Sequence, residues 1–306
     1  MRPILPFSDR PGECLSIGPS QGLVYAIDQE IVLKVPFQYP VLQDDSTHYL
    51  LDLALKSFVS LERELAVYDT LRNNPHLNIA RRLETDRSDC LFLERLTPLA
   101  AAWPGSNELD RRRWALELLD AVSWLEDCGW AHGDLAVRNL GVDSTKRLKV
   151  FDFGSAIPRS HPDYANEVWR DHFDLATCLH FILSGIDPFA GTRSCSEVEK
   201  VRSTLTAGRG TIRHGADVLA DIIQDGWTGR ASSTTFRQLS RRASDALSSR
   251  DHGRPREQSE SHYRCLESRC RAWLDGVSRN PMWRDIGEYV SACKAVEHEV
   301  DMDIWR

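Results

Sequence analysis

The chain has 306 residues, 42% of them hydrophobic, with 38 Lys and Arg against 45 Asp and Glu for a net charge of -7. That length and apolar content support a sizeable buried core and exclude a disordered chain, and the acidic balance leaves no broad basic footprint for nucleic acid. The run Arg111-Arg112-Arg113 reads as a solvated helix edge.

Pro3, Pro6 and Pro11, with Asp9 and Glu13, interrupt any apolar leader of the secretory kind. Short β-branched runs follow, Leu15 to Ile17, Leu23 to Ile27 and Ile31 to Val35, separated by turn residues as consecutive strands would be. From Leu51 to Leu71 the apolar residues Leu55, Phe58, Leu61, Leu65, Tyr68 and Leu71 recur at three and four, which predicts an amphipathic helix ended by Asn73, Asn74 and Pro75. Ile79 to Leu83 and Cys90 to Leu96 are strand-like, completing a unit of five strands and one helix.

After Pro98 the pattern turns helical, with a strong candidate over Glu108 to Glu126. A loop, a short strand at Leu148 to Phe151, an apolar helix near Glu167 to Leu183 and shorter helices to about residue 247 come next. Ser248 to Ser261 is polar enough to predict a flexible loop, and helices near Tyr263 to Val277 and Met282 to His298 close the chain. The most apolar stretch, Leu175 to Leu183, is about half the length a bilayer requires, so no membrane partner is expected and the compartment reads as intracellular, cytoplasmic or nuclear. Eight scattered cysteines without a CxxC pair suggest neither a disulfide scaffold nor a ribbon zinc site, and His262, Cys265 and Cys270 would point in different directions on a helix.

The most specific segment is His132-Gly133-Asp134-Leu135-Ala136-Val137-Arg138-Asn139, followed after a short strand by Val150-Phe151-Asp152-Phe153-Gly154. Here the sequence resembles the catalytic loop and Asp-Phe-Gly metal site of protein kinases. The resemblance implies that Asp134 orients or accepts the acceptor's proton, that Asn139 and Asp152 ligate Mg²⁺, and that Arg138 assists as in tyrosine-kinase loops. The residue types suit that chemistry, because Mg²⁺ takes hard oxygen donors and keeps several waters beside nucleotide phosphates.

Lys34 in Ile31-Val32-Leu33-Lys34-Val35-Pro36 looks like the family's strand lysine that contacts ATP phosphates, and Glu64 has the spacing to Val67, Tyr68 and Leu71 of the glutamate that pairs with it. Glu62 is the fallback, on another face of the helix. Ile17-Gly18-Pro19-Ser20-Gln21-Gly22-Leu23-Val24 is similar to a glycine-rich phosphate loop, one residue short, with Gly18, Ser20, Gly22 and Val24 as nucleotide contacts; a plain hairpin turn is the other reading. Leu91 to Leu96 looks like a strand entering a hinge where Glu94 and Leu96 would meet adenine, and equally like an ordinary buried strand.

Asp171 to Gly185, then Asp187-Pro188-Phe189, resembles the family's central helix, with Asp171 bracing the catalytic loop and with His132, Phe153 and Tyr68 as a packed column. Gly215 to Arg230 continues a likeness that covers about residues 14 to 240 and is closest to divergent kinase-like domains of fungal type. Two departures stand out. Gly133 replaces the arginine that binds an activation-segment phosphate in many kinases, and the stretch from Asp152 to Asp171 is short and lacks Ala-Pro-Glu.

The resemblance implies an α+β, bilobal kinase-like fold: a small five-stranded antiparallel sheet with one helix at 1–97, a larger mainly α-helical lobe at 98–247, and a loop with a helical extension of the same domain at 248–306. It implies ATP and Mg²⁺ as cofactors and an unidentified protein hydroxyl as acceptor, Ser/Thr before Tyr. A pseudokinase or ATP-binding scaffold remains an alternative, as does a small-molecule phosphotransferase of the aminoglycoside or choline kinase type. Oligomeric state is not legible in these residues.

Overall fold

The structure is a computed structural model that describes residues 2–18, 21–43, 48–72, 75–247 and 258–300. The chain divides into two compact units. The first joins Met1–Asn73, Arg81–Arg95 and Gln258–Arg306, and the second joins Asn74–Ala80 and Leu96–Glu257. The architecture is mixed α/β.

The first unit is built on β1 (Glu13–Gly18), β2 (Gly22–Ala26), β3 (Ile31–Val35), β4 (Arg82–Leu83) and β5 (Leu91–Glu94), which form an antiparallel sheet in the order β1-β2-β3-β5-β4. Alternating apolar residues drive β3, whose Ile31, Leu33 and Val35 are fully buried on one face. The β2–β3 turn is set by Asp28, whose Oδ1 accepts the N–H groups of Glu30 at 2.8 Å and Ile31 at 3.0 Å. The helix expected over Leu51 to Leu71 is α1 (His48–Leu71), which lays Leu51, Ala54, Leu55 and Phe58 onto the core.

Two further helices, α8 (Glu260–Gly276) and α9 (Ile286–Ala295), belong to this same unit. Tyr263, Leu266 and Cys270 of α8, with Trp283 and with Tyr289 and Cys293 of α9, share one buried cluster with Leu33, Leu55 and Phe92. The Tyr289 hydroxyl accepts from the Tyr39 N–H at 3.1 Å and donates to the Tyr39 carbonyl at 3.0 Å. The last helix is shorter than the Met282 to His298 expected, because Asp285 caps it, its Oδ1 accepting from the Glu288 N–H at 2.8 Å. The predicted loop over Ser248 to Ser261 lies largely outside the described residues, which resume at Gln258.

The second unit contains α2 (Leu99–Ala102), α3 (Glu108–Asp127), α4 (Tyr164–Ser184), α5 (Cys195–Thr206), α6 (Ala220–Thr228) and α7 (Phe236–Leu247). It also carries short strands, β6 (Thr97–Pro98) paired with β8 (Leu140–Val142), which pairs with β9 (Leu148–Val150), and β7 (Trp130–Ala131) paired with β10 (Ile157–Pro158). Asn107 and Asp110 form a reciprocal capping box that starts α3. Trp114, Leu118 and Val122 of α3, Phe173 and Leu179 of α4 and Ile223 and Trp227 of α6 are buried. The strand expected over Ile79 to Leu83 is split: Ile79 makes an isolated parallel bridge to Val150 within the second unit, and only Arg82–Leu83 joins the five-stranded sheet.

Candidate functional site

In the first unit, Lys34 lies on β3 and Glu64 on the buried face of α1, and Lys34 Nζ stands 2.5 Å from Glu64 Oε2. Both side chains are withdrawn from solvent, 6% and 0% exposed, so each ion depends on the other for much of its stabilisation. Glu62, two residues earlier, is only partly buried and lines a separate cavity with Asp69 and Asp285.

The register puts Val24 directly opposite Lys34, and Gly18 opposite Gly22 at the end of the β1–β2 pair. Gly22 has φ of 96°, and a Cβ there would fall 2.6 Å from the Val35 carbonyl oxygen, so the hairpin requires glycine at that position. Ser20 lies outside the described residues. Glu94 turns its carboxylate inward, Oε1 accepting from the Arg81 N–H at 2.6 Å and Oε2 from the Tyr263 hydroxyl at 3.4 Å. Leu96 belongs to the second unit, against Gly141.

In the second unit the segment 132–139 is held from one residue. Asp171, buried in α4, accepts the His132 N–H at 2.6 Å through Oδ2 and the Gly133 N–H at 3.0 Å through Oδ1. Burial pushes its carboxyl up to about 8, against the two N–H donors that favour the anion. His132 is buried and its pKa lowered, first by desolvation. Its Nδ1 accepts the Asp134 N–H at 3.3 Å, so its Nε2 is the atom that donates to the Phe151 carbonyl, 3.3 Å away. The imidazole is thus a neutral strut between the two motifs, with the Phe153 ring 5.2 Å from its own. Tyr68, the third member of the expected column, is buried on α1 in the first unit.

Asp134 is partly exposed and its carboxylate is flanked on two sides. Arg138 Nη2 donates to Oδ1 at 2.5 Å, and Asn139 Nδ2 donates to Oδ2 at 3.1 Å and to the Asp134 carbonyl at 2.8 Å. With its amide nitrogen committed there, Asn139 has its side-chain oxygen as the donor for a hard cation. The Phe151 N–H donates to the Asn139 carbonyl at 3.1 Å, which ties Asn139 to the strand end that carries Asp152. Asp152 adopts a left-handed backbone, φ 66°, a conformation that Asp tolerates better than most residues. No cluster of His, Cys, Asp and Glu among the described residues has the makings of an all-protein metal cage. One carboxylate and one amide oxygen suit Mg²⁺ shared with phosphates and water.

Gly133 has φ of 74°, and a Cβ there would meet the Ser155 carbonyl oxygen at 2.3 Å. The chain just past Gly154 passes directly against this residue, so a side chain here would have to displace backbone.

One acidic residue was missed in the sequence. Asp174 sits one helical turn beyond Asp171, and burial pushes its carboxyl up to about 7, with Arg202 at 4.0 Å pulling it down and the Asp134 carboxylate pushing it up. The spacing of three between two aspartates on one helix face was the available signal.

The chain matches no established protein-family profile. Three curated proteins match parts of it. It is 27% identical over 137 residues to serine/threonine-protein kinase PKH2 of Saccharomyces cerevisiae, a match covering 42% of this chain and 12% of that protein. It is 46% identical over 54 residues to CBL-interacting serine/threonine-protein kinase 21 of Arabidopsis thaliana and 44% identical over 52 residues to serine/threonine-protein kinase oca2 of Schizosaccharomyces pombe, each match covering 17% of this chain. All three relatives are serine/threonine protein kinases. The relationship is kinase-like and partial, since the matches span 12%, 13% and 8% of the relatives' own lengths.

Proposed function

We propose that this kinase-like chain is an ATP- and Mg²⁺-dependent protein kinase that transfers the γ-phosphoryl group to a protein Ser or Thr hydroxyl. The observation that carries the reading is the Asp171 carboxylate gripping the backbone of His132 and Gly133. That grip fixes the start of the loop that carries Asp134 and leads to Asn139, and phosphoryl transfer depends mainly on such placement.

In the transfer, the acceptor oxygen bonds to the γ-phosphorus as the bond to the β–γ bridging oxygen breaks, and ADP leaves. Asp134 orients the hydroxyl and receives its proton, while Arg138 and Asn139 hold the carboxylate's rotamer. Lys34, fixed by Glu64, contributes positive charge to the α- and β-phosphates. Mg²⁺ held by Asn139 and Asp152 would neutralise phosphate charge when bound.

A second reading, small-molecule phosphotransfer, is favoured by the brevity of the segment after Asp152, where α4 already begins at Tyr164. ATP turnover is to be measured with and without Mg²⁺ for the wild type, Asp134→Ala and Asp152→Ala, using a degenerate Ser/Thr peptide mixture and an aminoglycoside and choline panel as acceptors. Peptide phosphorylation that needs Mg²⁺ and both aspartates is expected. Transfer to small molecules alone would favour the second reading, and nucleotide binding without any turnover would leave a scaffold.

A further inference from the structure

The second unit holds a cleft of about 390 Å³ away from Asp134, between α5, the turn at 186–188 and the segment 209–213. Its accessible apolar surface is formed by Ile186, Pro188 and Val201, over the buried Leu205 and Trp227. Lys200, Arg209 and Arg213 line it, and Asp187 is the one carboxylate among the lining residues.

The three cations are exposed, and among the described residues none has a carboxylate within 4.0 Å. Arg202, on the same helix as Lys200, shows the contrast: it lies over the Phe173 ring at 4.6 Å with Asp174 at 4.0 Å. Asp187, whose Oδ1 accepts the Phe189 N–H at 2.9 Å within its own turn, offsets one of the three positive charges and leaves the lining cationic.

The walls are fixed. His180 Nδ1 bonds the Ile186 carbonyl at 2.8 Å, and His180 Nε2 accepts the Arg213 N–H at 3.2 Å, with the Trp227 ring centroid 5.3 Å away. A neutral imidazole thus ties both rims to α4, and burial keeps it neutral by lowering its pKa. The cleft is pre-formed, which limits the ordering cost of binding.

We propose that this cleft is a docking site for an acidic peptide segment of a protein partner, with Asp or Glu side chains on Lys200, Arg209 and Arg213 and one apolar side chain against Ile186, Pro188 and Val201. A site for a bare anion would have no use for the apolar surface, and the cations stand on two separate chain segments rather than on one loop. The binding claim stands without the kinase reading.

The test uses the full chain and a fluorescently labelled peptide, Asp-Glu-Leu-Glu-Asp-Glu, followed by anisotropy. Saturable binding is expected that weakens with added salt and is absent for the peptide with Lys at every acidic position. The triple variant Lys200→Glu, Arg209→Glu, Arg213→Glu should bind at least about tenfold more weakly. The milder triple Lys→Gln and Arg→Gln variant should fall between, which separates lost charge from a damaged fold. Replacing the central Leu by Ser should weaken binding about threefold or more. Equal binding of the Lys peptide, or unchanged binding by both triple variants, would overturn the proposal. So would full displacement by millimolar inorganic phosphate with no effect of the Leu replacement, or tighter binding of a single-stranded oligonucleotide through the same three cations.

Discussion

Asp171 Oδ2 accepts the backbone N–H of His132 at 2.6 Å, and through that bond and its partner to Gly133 one buried side chain of α4 holds the loop that carries Asp134. Asp171→Ala would leave two buried N–H groups without an acceptor. Urea unfolding should show a loss of about 2–4 kcal/mol, accompanied by loss of phosphotransfer. Asp171→Asn retains one acceptor oxygen and should lie between the variant and the wild type. A variant as stable and active as the wild type would show that the loop is held by something else.

Gly133 sits so close to Ser155 that any side chain must displace the backbone. Gly133→Ala should cost about 1–3 kcal/mol and reduce turnover by roughly tenfold or more. Gly133→Arg, which restores the common kinase residue, should be worse. Melting temperature and steady-state rate measured on the same preparations would check both, and a tolerated arginine would contradict the steric account.

Lys34 and Glu64 form a buried pair, so removing one partner leaves a buried ion without its 2.5 Å counter-ion. Glu64→Gln or Lys34→Met alone should lower stability by about 3–5 kcal/mol and abolish turnover. The double variant Lys34→Met, Glu64→Leu should regain much of the stability and none of the activity. A double-mutant cycle on chemical denaturation gives the coupling, and two independent, additive losses would show that the ions act separately.

Glu117 gives a pH dependence with a definite sign. Its Oε2 accepts the Leu148 N–H at 2.8 Å, and burial pushes its carboxyl up to about 7, with Arg113 and Arg147 opposing. The folded state keeps the proton over a range where the unfolded chain has released it. The associated stability is full below the ordinary carboxylate pKa and is lost as pH rises towards 7. Glu117→Gln keeps an acceptor for Leu148 and has no proton to lose. Its stability relative to the wild type should therefore rise by on the order of 1–3 kcal/mol between about pH 5 and about pH 8. A constant difference across that range would refute the assignment.

Much of this was legible in the residues. The spacing of three and four marked α1, whereas the pairing of Glu64 with Lys34 was expected only from the resemblance to the kinase lysine–glutamate pair, with Glu62 as the fallback. The paired motifs around Asp134 and Asp152 identified the loop, and Asp171 was legible from its helix. The sequence could not reveal that α8 and α9 complete the core of the first unit. Tyr263, Trp283 and Tyr289 meet Leu33, Phe58 and Phe92 across more than 160 positions, and nothing local encodes such a pairing. Gly133 was noticed as a missing arginine, but its close approach to Ser155 is one that only the folded chain supplies. The cationic cleft left no motif, since its walls come from three stretches of chain that only α4 and α6 bring together.

The three-segment build of the first unit has a consequence for synthesis. The sheet and α1 leave the ribosome before the second unit, yet their apolar surface is covered by Tyr263, Leu266, Trp283, Tyr289 and Cys293, which are translated after it. The second unit, contained almost wholly in Leu96–Glu257, has all its parts before then. During translation the order of completion is therefore reversed with respect to the sequence, and the nascent β-strands wait with exposed apolar faces while the later unit forms.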